Sequence, residues 1–142
     1  MSLPPAFQQG IEEFNRQEFY ACHDTLEALW MDSTEPNKTF YQGILQIAVG
    51  CYHLGNANWQ GAVTLLGEGA RRIRDYQPSY ENIDVERLLD DSLELLYALQ
   101  KMGGDREAIE GRHRVAEWAK QMESGEIENS KYRLPRIYFH NE

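Results

Sequence analysis

The stretch from Asn37 to Leu54, NKTFYQGILQIAVGCYHL, decides the fold. Drawn as a helix at ~100° per residue, it carries apolar residues on nearly every side, and a helix with that pattern is normally buried on most sides. Gly55 and Asn56 follow it, and both residue types tolerate the left-handed turn that often ends a helix. We therefore predict a helix at about residues 37–54, buried in the centre of a bundle.

Apolar residues at helical spacing predict further helices on both sides of this stretch. These helices are expected at about residues 4–14, 18–31, 59–76 and 83–102, with a weaker one at 105–122. The last stretch, Tyr132 to Phe139, predicts an extended strap laid on the bundle, and no segment predicts a strand pair. The sequence thus predicts an all-α fold, a single-domain bundle of five to six helices that spans residues 1–142.

Small residues mark one face of the helix predicted at 59–76. Gly61, Ala62, Gly69 and Ala70 would let a neighbouring helix approach closely. This face and the aromatic tail together supply apolar surface that one small bundle would not cover. We therefore expect a homodimer.

Composition excludes several classes of partner. The 142 residues are 42% hydrophobic and 26% charged, an ordinary globular composition, and carry a formal net charge of −9. Nucleic-acid affinity comes largely from Lys and Arg, so we predict no nucleic-acid binding. The most apolar run, Ile44 to Leu54, is too short for a bilayer, which takes roughly 20 residues, so we predict no membrane insertion.

The cysteines and the N-terminus bear on the location of the protein. Cys22 and Cys51 lie within apolar helical patterns, which favours reduced thiols packed in the core. The N-terminus lacks a charged stretch followed by an apolar run, so we expect no export signal. Together these features predict a cytoplasmic protein.

Polar residues interrupt two of the predicted apolar faces. His23 and Glu27 lie one turn apart at the border of the core face of the helix at 18–31, and Asp24 lies on its opposite side. The central helix carries a polar stripe at intervals of four, four and three, formed by Gln42, Gln46, Gly50 and His53. Buried amides and imidazoles without partners lose roughly 1–3 kcal/mol each. We therefore predict that His23, Glu27, Gln46 and His53 form one hydrogen-bonded cluster.

Three interpretations of this cluster remain open. The groups could satisfy one another and fix the register of the helices. They could instead line a pocket with Trp30 and Tyr52 that holds a small polar ligand. Finally, His23, Glu27 and His53 offer nitrogen and oxygen ligands to Zn²⁺ or a similar ion. The sequence identifies no cofactor.

Motifs of catalysis beyond His23 and Glu27 are absent from the sequence: it contains neither a phosphate-binding glycine loop nor a nucleophile elbow. A non-catalytic protein that binds a small ligand or acts as a scaffold is therefore favoured. An enzyme stays the alternative, as a metal-assisted hydrolase that uses His23, Glu27 and His53, with Glu27 or Asp24 as the base.

An ordered series of motifs resembles domain-of-unknown-function family 309. The series consists of Phe14-Asn15, Cys22-His23-Asp24 through Leu26-Glu27 to Trp30, Gln42-Gly43, Gln46, His53, Gly55-Asn56 and Gly61-Ala62, within about residues 7–75. The resemblance implies an all-helical fold of bacterial and archaeal type without an established activity, substrate or cofactor. The family motif residues carried over are His23, Glu27, Trp30, Gln42, Gln46 and His53. Where the family has His-Glu, this chain has His23-Asp24, which keeps the acid.

Overall fold

The computed structural model describes residues 3–102 and 134–140, and helices dominate them. The five helices are α1 (Pro5–Asn15), α2 (Phe19–Asp32), α3 (Asn37–Gly55), α4 (Trp59–Ile73) and α5 (Val85–Met102). The predicted all-α bundle is confirmed. The helix predicted at 105–122 lies outside the described residues.

Each helix packs against its neighbour in the chain, so that α3 lies against α2 on one side and α4 on the other. From α1, Phe7 also reaches α3, with its ring centroid 4.9 Å from that of Tyr41. The buried residues of α3 are mainly apolar: Phe40, Tyr41, Gly43, Ile44, Gln46, Ile47, Ala48, Gly50, Cys51 and Leu54. Burial of this helix against both neighbours accounts for its nearly continuous apolar sequence.

Glycines bring α3 and α4 into close contact, as the small residues predicted. A Cβ atom added to Gly69 would lie 2.7 Å from the Gly43 carbonyl oxygen and 2.9 Å from the Ile47 nitrogen. Both are backbone atoms of a helix and have no room to move aside. The small-residue face of α4 is therefore covered by α3 and does not supply free surface for a dimer.

A short β-hairpin joins α4 to α5, and the prediction of no strand pair is wrong here. A 3₁₀ turn, Arg74–Tyr76, follows α4, and then β1 (Ser79–Tyr80) pairs antiparallel with β2 (Ile83–Asp84). The two turn residues, Glu81 and Asn82, have φ angles of 51° and 63°. A two-residue hairpin turn of the favoured kind needs positive φ angles at both of its central residues, as found here.

Of the strap predicted at residues 132–139, residues 132–133 lie outside the described residues; residues 134–140, called the strap below, lie against α1 and the hairpin. Asn15, the last residue of α1, holds it with both ends of its side-chain amide. Its Nδ2 donates to the Ile137 carbonyl at 2.9 Å, and its Oδ1 accepts from the Ile137 N–H at 2.8 Å. Ile137 itself is 2% exposed, so the strap completes the core at this end of the bundle.

Across residues 3–102 and 134–140, the helices lack the combination of length and hydropathy that a bilayer-spanning segment needs.

Candidate functional site

His23 projects from α2 between two carboxylates. Its Nδ1 is 3.2 Å from Asp24 Oδ1, and its Nε2 is 3.3 Å from Glu27 Oε2. The side chains are 29% exposed for His23, 62% for Asp24 and 50% for Glu27. The two ring nitrogens therefore each face a carboxylate oxygen within hydrogen-bonding distance. Of the two residues placed at the border of the core face, His23 is partly buried and Glu27 is exposed.

His53, near the end of α3, belongs to a helix cap. Asn58 accepts a hydrogen bond from the Gly61 N–H at 3.0 Å through its side chain, which caps the first turn of α4. The Asn58 Nδ2 lies 3.3 Å from His53 Nδ1, which places this ring nitrogen as the acceptor. The ring also covers Gly61, where a Cβ atom would lie 2.8 Å from it. His53 therefore stabilises the turn between α3 and α4 through its contacts with Asn58 and Gly61.

Gln46 has its own partner on α4. Its Nε2 donates to Glu68 Oε1 at 3.2 Å, and the residue is only 9% exposed. Its Oε1 is buried without a partner in the described part of the chain. Gln42 lies half-buried one turn earlier on α3.

Trp30 lies half-buried near the end of α2, where the Lys38 ammonium is 4.9 Å from the centroid of its ring. A cation at this distance over an indole is attracted by the ring's quadrupole. The Trp30 Nε1 is buried and finds no acceptor among residues 3–102 and 134–140.

The prediction of one hydrogen-bonded cluster is wrong. The hydrogen bonds instead divide its members into separate groups: His23 with Asp24 and Glu27, Gln46 with Glu68, and His53 with Asn58. Glu68 lies on α4, and Asn58 is the residue that caps α4. The positions of side chains around α2 and α3 could not predict these two partners.

The metal interpretation also needs correction. His23, Glu27 and His53 do not converge, and within the described residues no group of three or more His, Cys, Asp or Glu side chains is placed to hold a metal ion. Asp24 contacts the Nδ1 and Glu27 the Nε2 of the His23 ring, so the two carboxylates lie on opposite sides of the ring.

Two tyrosines connect the histidines in a way that sequence reasoning missed. The rings of His23, Tyr20, Tyr52 and His53 follow one another with centroid separations of 6.1, 5.4 and 6.0 Å. We call these four residues the ring row. Tyr20 is 60% exposed and Tyr52 is 39% exposed. Tyr20 lies outside the apolar face of α2, so apolar spacing does not identify it. The signal that could have identified it is a large aromatic residue on an otherwise exposed helix face.

Two carboxylates, Asp24 and Glu27, lie within 3.3 Å of the His23 ring of the ring row, and the neighbouring sequence is acidic. Between Gln17 and Asn37 the chain carries Glu18, Asp24, Glu27, Asp32 and Glu35 and neither Lys nor Arg. The face that α2 presents beside the ring row therefore attracts cations.

The two cysteines are buried free thiols, as predicted. Burial, with a smaller contribution from Glu13, raises the pKa of Cys22 to about 12. Burial likewise raises the pKa of the Cys51 thiol, with Cys22 as the second cause. Since the thiolate is the nucleophile, neither residue is suited to covalent catalysis.

Comparison with known proteins matches the same part of the chain. Residues 7–65 match the family model described as Domain of unknown function (DUF309). The chain is also similar to Uncharacterized protein YpuF of Bacillus subtilis (strain 168), with 29% identity over 91 residues. This match takes in 61% of the chain and 52% of YpuF, so the chain spans about half the length of that relative. No solved structure matches the chain.

The matched segment, residues 7–65, contains most of α1, all of α2 and α3, and the start of α4. All four members of the ring row and each of the six motif residues named from the sequence lie within it. The resemblance to Domain of unknown function (DUF309) that the motifs predicted is therefore confirmed over residues 7–65.

Proposed function

We propose that this chain is a non-catalytic binding protein of the cytoplasm, in which the ring row binds a basic segment of a partner protein. The observation that carries the proposal is the ring row itself: four rings in succession across two helices, with Tyr20 60% exposed. Tyrosine supplies large contact area at a low cost in conformational entropy, which is why it is enriched at protein interfaces.

Charge specifies the chemistry of the partner. Asp24 and Glu27 lie beside the ring row through their contacts with His23 and are at least half exposed. A Lys or Arg side chain that stacked on Tyr20 would gain a cation–π contact of about 0.5–1 kcal/mol at an exposed site. The carboxylates would add steering over a range of about 10 Å at 0.1 M salt.

The shape of the surface favours an extended partner over an enclosed small ligand. The two tyrosines lie on the outside of α2 and α3, whereas a site for a small molecule encloses most of its ligand. A peptide segment contacts such a face without being enclosed. Of the two kinds of binding protein that the sequence favours, the scaffold fits this face better.

The metal-assisted hydrolase is less well supported. It needs His23, Glu27 and His53 around one ion, and His53 is instead engaged by Asn58 at 3.3 Å.

Calorimetric titration with an acetylated, amidated hexa-arginine peptide tests the proposal. Saturable binding is expected that weakens with salt, and Tyr20→Ala is expected to weaken it several-fold. Tyr97→Ala is the matched control, because Tyr97 is 57% exposed and lies on α5, away from the ring row. The affinity of Tyr97→Ala for the peptide should stay within about twofold of that of the unmodified chain, because Tyr97 takes no part in the ring row. Unchanged affinity in Tyr20→Ala would mean that the peptide binds through net charge alone, and an equal loss in both variants would mean that the loss is not specific to the ring row; either result would contradict the proposal.

A further inference from the structure

A cavity of about 490 Å³ lies between α1, the hairpin turn and the strap, away from the ring row. Cavities of this size accommodate small organic molecules. Its lining includes Leu3, Ile11, Arg16, Asn82, Arg136 and Phe139. None of these belongs to the residues that the sequence singled out as a site.

One part of the lining is apolar. Leu3 is 9% exposed and Ile11 is 3% exposed, so both present surface that is already largely removed from water. Phe139, on the strap, is 39% exposed and adds an aromatic ring. Leu3 and Ile11 shape an apolar wall, and the gain of roughly 25 cal/mol for each Å² removed from water would come mainly from Phe139 and from the ligand's own apolar surface.

The other part of the lining is cationic. The Arg136 guanidinium donates to the Asn15 carbonyl oxygen at 3.2 Å and forms no ion pair within the described part of the chain. Its remaining N–H groups are free to bind an anion, since a guanidinium offers five donors. Arg16 also lines the cavity, and its pairs with Glu12 at 3.3 Å and Glu18 at 3.7 Å are exposed and therefore weak.

We propose that this cavity binds a small organic acid. The carboxylate pairs with the guanidinium of Arg136, which can grip both oxygens at once, and the apolar body lies on Leu3, Ile11 and Phe139. Glu12 lines the cavity too, but its side chain is 65% exposed and can turn toward water, whereas Arg136 has no ion pair among residues 3–102 and 134–140 and sets the preference for an anion. The proposal does not depend on the function proposed for the ring row.

Titration calorimetry with 4-phenylbutyrate and with its neutral amide as probes tests this site. The acid is expected to bind at one site per chain and at least about tenfold more tightly than the amide. Arg136→Gln should remove most of that preference. Arg74→Gln is the control, because Arg74 is exposed, does not line the cavity and forms an exposed pair with Asp75 at 3.9 Å. Acid and amide of equal affinity, or an equal loss in both arginine variants, would overturn the proposal.

A second variant separates loss of the site from loss of the strap. Gln8 lines the cavity from α1 and is exposed, so Gln8→Trp places an indole in the mouth of the cavity while the contacts of Asn15 with the strap remain. This variant should bind 4-phenylbutyrate at least about tenfold more weakly. Unchanged binding would place the ligand elsewhere and contradict the proposal.

Discussion

At the residue scale, His23 and His53 have separate partners although the ring row connects them. His23 bonds to Asp24 and Glu27 on its own helix, and His53 bonds to Asn58. We therefore predict that the losses of stability in His23→Ala and His53→Ala add to within about 0.5 kcal/mol in the double variant. Urea unfolding of the three variants measures this. A coupling of about 1 kcal/mol or more would restore the single cluster that the sequence predicted.

Glu35 gives a prediction about pH. Its carboxylate accepts from the Thr39 hydroxyl at 2.6 Å and from the Thr39 N–H at 2.9 Å. These two hydrogen bonds lower the pKa of Glu35, and the bond from the hydroxyl has the larger effect. A lowered pKa in the folded state means that the stabilisation is present above the unfolded pKa and is lost as the pH falls through the folded one. Glu35→Gln should therefore have a lower Tm than the unmodified chain at pH 7. Thermal melts from pH 7 to pH 2 should show the difference shrinking; a constant difference would point to a cause other than ionisation.

Asn15 is the anchor of the strap, a role that its place in the Phe14-Asn15 motif did not predict. Because its amide makes two hydrogen bonds to Ile137, Asn15→Ala is expected to reduce the free energy of unfolding by about 1–3 kcal/mol. Gln9→Ala, an exposed amide on the same helix, serves as the control in urea unfolding. Equal small losses in both variants would show that the strap is held without Asn15.

Residue patterns alone could place side chains on a helix face but could not supply their partners. The spacing of His23 and Glu27 puts them one turn apart, and they are in contact at 3.3 Å. The partner of Gln46 comes from α4 and that of His53 from the turn between α3 and α4, and apolar spacing does not give the register between these two helices. For the same reason the link from Asn15 to the strap, 122 residues away, had no local signal.

At the scale of elements, the α3–α4 contact depends on particular glycines. Gly69→Ala would place a methyl group 2.7 Å from the Gly43 carbonyl oxygen, whereas Gly67→Ala would meet only Leu96, at 3.9 Å. Alanine favours a helix over glycine by about 1 kcal/mol. We therefore predict that Gly67→Ala stabilises the protein by up to about 1 kcal/mol, while Gly69→Ala destabilises it by about 1–3 kcal/mol through overpacking. Urea unfolding compares the two, and equal effects would contradict the close α3–α4 contact.

Apolar spacing predicted the five described helices because burial of one face dominates their sequences. Apolar spacing gave a wrong result between α4 and α5. It predicted that a helix begins at Ile83, whereas Ile83 and Asp84 form a strand and α5 begins at Val85. The turn there, Glu81-Asn82, lacks the glycine that usually marks a two-residue hairpin turn.

At the scale of the whole molecule, the homodimer stays a prediction with less support than the sequence suggested. Of its two apolar surfaces, the small-residue face of α4 is used against α3. On the strap, Ile137 is buried and Phe139 remains 39% exposed. Among the described residues, the small-residue face and Ile137 are thus covered within one chain, and the ring row exposes two tyrosines where the strap exposes Phe139.

The central claim is that the ring row is the binding face of the protein. A two-dimensional ¹H–¹⁵N NMR titration of the labelled chain with the hexa-arginine peptide tests it most directly. The account predicts that the amide signals of α2 around Tyr20 and His23 and of α3 around Tyr52 shift together and saturate at one peptide per chain. Shifts spread over acidic residues throughout the chain, or centred on α5, would contradict it.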